Sequence, residues 1–206
     1  MDPSVLLVFI PTFFFVSATP GLCMTLAMTL GMTIGVRRSL WMMVGELAGV
    51  GLVSLSALVG VATVLLARPN LFLALKYLGG AYLFYLGIQM WRSRGKMAIP
   101  SDLDTQVSVK PLALATQGFV TAIANPKAWA FMISLLPPFI DASLPLQPQA
   151  AVLISVILCF ELICMLLYAA GGRTLRGLLQ QRGNVMLMNR IAGSMMVGVS
   201  VWLVMG

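Results

Sequence analysis

The stretch Ala124-Asn125-Pro126-Lys127 lies in the middle of an apolar segment that covers residues 112–137. Asn is a favoured helix N-cap, and Pro is favoured at the first helical position. Asn125-Pro126 therefore predicts a helix that begins again halfway along a membrane span. Lys127 is the only basic residue well inside any apolar segment of the chain. A restarted helix and a lysine together place two sources of positive potential at one depth in the bilayer.

The composition around this stretch is that of an integral membrane protein. Of the 206 residues, 60% are hydrophobic and 9% are charged, and the mean hydropathy is +0.98. An ordinary soluble domain carries about 25% charged residues. A chain of this length has room for six spans of about 20 residues each, and for no soluble domain. Because the net charge of +7 is explained below by membrane topology, no nucleic-acid partner is predicted.

The chain offers no signature of a cofactor, a metal site or an enzyme. It has no His, and its three cysteines (Cys23, Cys159 and Cys164) fall in apolar segments without a CxxC pair. We interpret them as small buried hydrophobic residues, and the 15 methionines as adaptable packing. Ser134 follows Lys127 by seven residues, but no oxyanion-hole motif supports a Ser-Lys hydrolase. We therefore expect no catalytic residue, no cofactor and no metal ligand.

The apolar pattern predicts six spans, and the first one is interrupted. The N-terminus Met1-Asp2-Pro3 has no positive region, so the first apolar run reads as a span and not as a cleaved signal peptide. Thr19-Pro20-Gly21 interrupts this run at mid-depth; Thr can cap a helix and Pro20 can open its second half. Gly45 and Gly49 give span 2 a face that permits close helix approach. The predicted spans cover residues 5–34, 40–67, 71–91, 112–137, 150–172 and 191–205.

The distribution of basic residues predicts the orientation of these spans. With six spans, the loops after spans 1, 3 and 5 share one side of the membrane. That side is predicted to be cytoplasmic and both termini to be periplasmic, because basic loops stay inside. The loops on that side hold ten of the thirteen basic residues, namely Arg37, Arg38, Arg92, Arg94, Lys96, Lys110, Arg173, Arg176, Arg182 and Arg190.

The count of spans also predicts an internal repeat. We expect a single all-α membrane domain over residues 1–206, with a first half at 1–91, a cytoplasmic linker at 92–111 and a second half at 112–206. Since each half has three spans, related halves would have inverted topology. Each half has one broken helix, followed by a helix that carries one buried carboxylate, Glu46 or Glu161. Inverted repeats whose broken helices meet at the midplane are a recurrent plan among transporters.

Three charged residues predict a polar cavity between the halves. Each charge at membrane depth costs roughly 2.5–3.5 kcal/mol on insertion scales, so Glu46, Lys127 and Glu161 are expected to have a function. The alternative is a structural ion pair that holds helices together. The half-helices that begin after Thr19 and Asn125 present free N–H groups, which bind a carboxylate.

The predicted cavity suits an amino acid. Lys127 would add a fixed positive charge for the substrate carboxylate, and Glu161 or Glu46 would take the ammonium group. A carboxyl group that holds either a proton or a cationic substrate couples export to proton entry. Tyr168 lies seven residues after Glu161, on the same helical face, and either lines the path or belongs to an interfacial aromatic belt.

These residues resemble the LysE/RhtB family of bacterial amino-acid exporters over nearly the whole chain. The motifs that carry the resemblance are Thr19-Pro20-Gly21 with Gly31, Gly35 and Arg37; Gly118-Phe119 and Asn125-Pro126-Lys127-Ala128 with Phe131 and Pro137-Pro138-Phe139-Ile140; and Asn189-Arg190-Ile191-Ala192-Gly193. One position departs from the family pattern. Where the family continues Pro-Gly-Pro, this chain has Leu22, which predicts a softer first break.

The resemblance implies a six-helix exporter in the bacterial inner membrane. Its substrates would be amino acids such as homoserine, threonine, leucine or lysine, or related small amines or cations. Efflux would be driven by proton exchange, and the protein would fit a homodimer. A membrane assembly subunit without transport activity is the alternative from another class of protein. In such a subunit the buried charges would pair from helix to helix and leave no cavity.

Overall fold

The computed structural model describes residues 3–67, 69–92, 110–136, 139–141 and 143–205. Most of the predicted linker, including Arg94 and Lys96, lies outside these residues, as does Pro137-Pro138. The described residues form an all-α protein with eight helices. They are α1 (Pro3–Ala18), α2 (Leu22–Thr33), α3 (Val36–Ala67), α4 (Pro69–Arg92), α5 (Pro111–Ile123), α6 (Pro126–Leu135), α7 (Leu146–Gln180) and α8 (Arg182–Met205).

Both predicted breaks are present. The chain bends by 55° between α1 and α2, where Thr19-Pro20-Gly21 separates the two helices. A second break separates α5 from α6 at Ala124-Asn125. Because each of these four half-helices has 16 residues or fewer, none is long enough to cross a bilayer alone.

Several helices have the length and hydropathy of membrane spans. Among the described residues, Val36–Gly60 and Leu146–Gly172 qualify individually, and the bent pair α1–α2 qualifies as a third span when it is counted as one. Pro111–Ile123 is a shorter apolar helix. The fold is therefore that of a helical membrane protein with several spans.

The arginine-rich segment before the last span is helical, and its prediction as a loop was wrong. Helix α7 continues to Gln180, and α8 already begins at Arg182. The backbone changes direction at Gly172, where φ is +40°, a value that glycine adopts without a steric penalty. No proline occurs between residues 173 and 190, so nothing in that segment prevents the helix from continuing.

Glycines bring helix backbones into direct contact between α3 and α5 and between α4 and α8. Gly45 of α3 lies against the backbone of Ala115 in α5, and Gly118 of α5 lies against the backbone of α3; a Cβ atom at either position would clash with that backbone. Gly87 of α4 and Gly193 of α8 touch in the same way. The predicted small-residue face of span 2 is thus confirmed, because α3 packs against α5 along it.

Candidate functional site

A cavity lies where the two helix breaks meet, and most of the predicted site residues line it. Its walls include Thr19 and Gly21 from the first break, Asn125 and Lys127 from the second, and the two carboxylates, Glu46 and Glu161. The cavity has a volume of about 50 Å³. The fold therefore brings together the charges that the sequence places in three separate spans.

The two carboxylates of the cavity differ in their surroundings. Glu46, from α3, is 1% exposed, and its Oε2 atom has no hydrogen-bond partner within the described part of the chain. Glu161, from α7, accepts a hydrogen bond at Oε1 from the Ser17 hydroxyl of α1 at 2.9 Å. Buried polar groups are normally hydrogen-bonded, so an unpartnered carboxyl oxygen that faces a cavity marks a place for a ligand or a proton.

Lys127 stands in the first turn of α6 and reaches across to the first half of the chain. Its Nζ atom donates to the carbonyl oxygen of Val16 at 3.4 Å and lies 5.5 Å from the centre of the Phe131 ring. These contacts, with a carbonyl and an aromatic face, stabilise the ammonium group without neutralising it. The positive charge thus remains available to the cavity.

The second break satisfies its own backbone. The Asn125 side chain accepts a hydrogen bond from the Lys127 N–H at 3.1 Å, so the prediction that Asn125 caps α6 is confirmed. Pro126 has no N–H, and the Ala128 N–H donates to the Asn125 carbonyl at 3.1 Å. The Trp129 indole donates to the Ile123 carbonyl at the end of α5 at 2.8 Å. Free N–H groups were predicted at the start of α6. That prediction was wrong, because the side chain and the carbonyl of Asn125 accept hydrogen bonds from these groups.

The first break is built differently from its prediction. The Thr19 hydroxyl donates back to the Phe15 carbonyl at 2.7 Å, as Thr often does four residues on in a helix, and does not cap α2. Helix α2 begins at Leu22, with Gly21 as an N-cap that has no side chain to accept a hydrogen bond. The predictions that Thr19 caps the half-helix and that Pro20 opens it were wrong. The N–H groups at the start of α2 have no hydrogen-bond partner among the described residues, as predicted.

Tyr168 supports the first break from α7. It is buried, and its hydroxyl donates to the carbonyl oxygen of Ala18, the last residue of α1, at 2.9 Å. It is not among the residues that line the cavity, and neither is Pro20. A contact between Tyr168 and a substrate stays a prediction.

Two polar residues of the site were missed by sequence reasoning. Ser17 holds Glu161, and Cys23 lines the cavity with its Sγ atom 3.8 Å from the Asn125 amide nitrogen. Both lie within two residues of the first break, and that proximity is the signal that could have identified them. The apolar part of the wall, which includes Phe13, Val50 and Phe131, carries no such signal because its periodicity is that of any buried helix face.

The fold and the site define a multi-pass helical membrane protein with a charged cavity at two helix breaks. A family model described as "LysE type translocator" matches residues 14–206. The chain belongs to this family, whose members are transporters and not enzymes.

Three relatives illustrate the range of the family. The chain is 28% identical over 203 residues to an uncharacterized membrane protein of Vibrio cholerae, which covers 98% of both chains. It is 30% identical over 159 residues to the homoserine/homoserine lactone efflux protein of Salmonella typhi, which covers 75% of this chain and 74% of the relative. It is 32% identical over 105 residues to the leucine efflux protein of Salmonella choleraesuis, a match that covers 49% of this chain and 47% of the relative. No solved structure matches the chain.

Proposed function

We propose that the protein is a secondary active exporter of amino acids across the bacterial inner membrane, and that it works by proton antiport. One observation carries the proposal: the cavity at the two breaks is lined by Lys127, Glu46 and Glu161. Ionisable residues inside a membrane protein usually mark a substrate or proton pathway. The names of the homoserine and leucine efflux relatives support amino acids as the substrate class.

The chemistry of the cavity fits a zwitterion. A substrate carboxylate would bind near Lys127, while its ammonium group would bind a carboxylate on the facing helices. Glu46 and Glu161 belong to α3 and α7, which pack against each other, so both can face one bound molecule. When the substrate leaves, a proton would replace its ammonium group on the carboxylate, and this exchange would couple export to proton entry.

The proposed architecture is six membrane spans arranged as a 3+3 inverted repeat. The broken pairs α1–α2 and α5–α6 would be equivalent, as would α3 with Glu46 and α7 with Glu161. Spans 1 to 3 and 4 to 6 would form the halves at residues 1–91 and 112–206. The basic side would be cytoplasmic and both termini periplasmic. A reporter fused to the C-terminus tests this arrangement, and reporter activity in the cytoplasm would rule it out. The homodimer implied by the resemblance also stays a prediction.

The function is tested in proteoliposomes loaded with a labelled amino acid, with a pH gradient that is acidic outside. We expect efflux of homoserine or leucine that stops when a protonophore collapses the gradient. Glu161→Gln should abolish the gradient-driven efflux, because an amide cannot bind and release a proton. Its oxygen can still accept the hydrogen bond from Ser17.

Glu46→Gln is the companion variant, and Ser143→Ala, in the loop before α7, is the control that should leave efflux unchanged. Wild-type rates in both glutamine variants would refute the coupling. The absence of efflux for every amino acid would refute the transport function and favour the assembly subunit.

A further inference from the structure

We infer that the substrate carboxylate binds at the start of α2, beside Lys127, and not at the start of α6, so that the site selects molecules with a free α-carboxylate and an uncharged side chain. This inference rests on the proposed function and specifies which substrates it covers. It departs from the symmetric expectation, in which both half-helices bind the anion. Three features of the described residues support it: the hydrogen bonding at the starts of α2 and α6, the unpartnered Oε2 atom of Glu46, and the apolar wall of the cavity.

The start of α6 has no N–H group to offer. The Asn125 side chain takes the Lys127 N–H, and the Asn125 carbonyl takes the N–H groups of Ala128 and Trp129 at 3.1 and 3.5 Å. Pro126 has none. An anion at this end would have to displace the Asn125 side chain from its own helix, so Asn125 acts here as a positioning residue for Lys127.

The start of α2 is open. The first N–H to find an intrahelical partner is that of Thr25, which donates to the Gly21 carbonyl at 2.9 Å. The N–H groups of Leu22, Cys23 and Met24 precede it, and no side chain caps them. Gly21, Cys23 and Met24 all line the cavity. A Cβ atom added at Gly21 would lie 3.8 Å from the Lys127 Nζ atom. Backbone N–H groups and an ammonium group therefore converge on one small volume, which is the arrangement that binds a carboxylate.

The opposite wall supplies the second half of a zwitterion site. Glu46 lines the same cavity, is 1% exposed, and keeps its Oε2 atom without a partner among the described residues. The Oε1 atom of Glu161 is already engaged by Ser17. The Oε2 atom of Glu46 is thus an acceptor that is available to an α-ammonium group. The uncapped N–H groups of α2 would bind the carboxylate of an amino acid, and the Oε2 atom of Glu46 would accept from its ammonium group.

The rest of the wall is apolar. Phe13, Val16, Val50, Phe131 and Met132 line the cavity beside the charged groups. A cationic side chain placed against these five residues would lose its hydration without gaining a partner among them, which is costly. An aliphatic side chain loses nothing there. The site is therefore suited to neutral amino acids of small or medium size and not to lysine.

Gly21→Ala tests the carboxylate position. The substitution is compatible with the fold, because φ at Gly21 is −138° and the new methyl group would meet its nearest neighbours at 3.8 and 3.9 Å. It would, however, occupy the space between the α2 N-terminus and Lys127. We expect leucine efflux from proteoliposomes to fall about tenfold or more. Gly51→Ala is the matched control, because its methyl group would meet only the Leu158 side chain, at 3.9 Å, and Gly51 does not line the cavity.

The substrates are tested on the wild-type protein with leucine, leucinamide and lysine. The membrane potential is held at zero and the leak of protein-free vesicles is subtracted. Leucinamide lacks the carboxylate, and lysine adds a charge to the side chain. Each should therefore be exported at about a tenth of the leucine rate or less. Equal export of leucine and leucinamide, or full activity of Gly21→Ala, would overturn the inference while the exporter function stands. If the wild type exports none of the three and no other amino acid, the function fails and the inference fails with it.

Discussion

The two helix breaks share one sequence logic but are completed in opposite ways. At the second break, Asn125 caps α6 and the Trp129 indole donates to the last carbonyl of α5, so the hydrogen bonds that complete the two helix ends are local in sequence. At the first break, the Ala18 carbonyl is held by Tyr168, which is 150 residues away in the chain, and the start of α2 stays uncapped. The comparison teaches that the helix ends at the second break are completed by local hydrogen bonds, whereas the first break depends on a tertiary contact and leaves the start of α2 open to a ligand.

The largest expected effect comes from removing the charge that joins the two breaks. Lys127→Met keeps a side chain of similar length but removes the ammonium group and with it the contact between Nζ and the Phe131 ring. Because the site would then lose the full charge facing the carboxylate, we expect export to fall about 100-fold or more. The measurement is the initial rate of leucine efflux from proteoliposomes.

Lys127→Arg sharpens this result, because it keeps the charge in a different shape. Partial activity in the arginine variant together with none in Lys127→Met would assign the effect to the charge. Wild-type export by Lys127→Met would show that the uncapped end of α2 is sufficient without the lysine.

Removing the cap of the second break should affect stability. Asn125→Ala leaves the Lys127 N–H without its acceptor, and the loss of an N-cap typically costs about 0.5–2 kcal/mol. We expect a lower midpoint of thermal unfolding in detergent, followed by tryptophan fluorescence. Thr19→Val is the matched substitution at the first break.

Because the Thr19 hydroxyl donates to Phe15 within α1 and caps nothing, Thr19→Val should lower the midpoint less than Asn125→Ala does. Equal losses in the two variants would contradict the difference between the breaks.

The smallest effect is expected at the long-range support of the first break. Tyr168→Phe removes only the hydroxyl that donates to Ala18, and a typical hydrogen bond contributes about 0.5–1.5 kcal/mol. We expect a slightly lower unfolding midpoint and a higher KM for leucine, since the position of α2 relative to α1 becomes less defined. An unchanged KM beside a lower midpoint would restrict Tyr168 to a structural role.

Local chemistry was predictable at the second break, whereas the hydrogen bonds between distant segments were not. Asn125-Pro126 predicts a helix start correctly, because capping depends on the residue and its immediate neighbours. The capping role predicted for Thr19 was wrong. A threonine hydroxyl can cap the next helix or donate to a carbonyl of its own helix, and the sequence does not distinguish the two arrangements. Glu46 and Glu161 were predicted by the cost of burying charge, whereas Ser17 and Tyr168 find their partners only through the packing of α1 against α7.

The contact between Lys127 and Val16 has a consequence for how the chain enters the membrane during synthesis. Helix α6 has 10 residues. It is therefore about 15 Å long, half the thickness of the hydrocarbon layer, and must be inserted together with α5. When this pair leaves the ribosome, Glu161 has not yet been made, but the Val16 carbonyl is already in place 111 residues upstream. The order of synthesis thus supplies the lysine with an acceptor before Glu161 exists, and the second half of the chain inserts against a first half that already carries Val16 and Glu46.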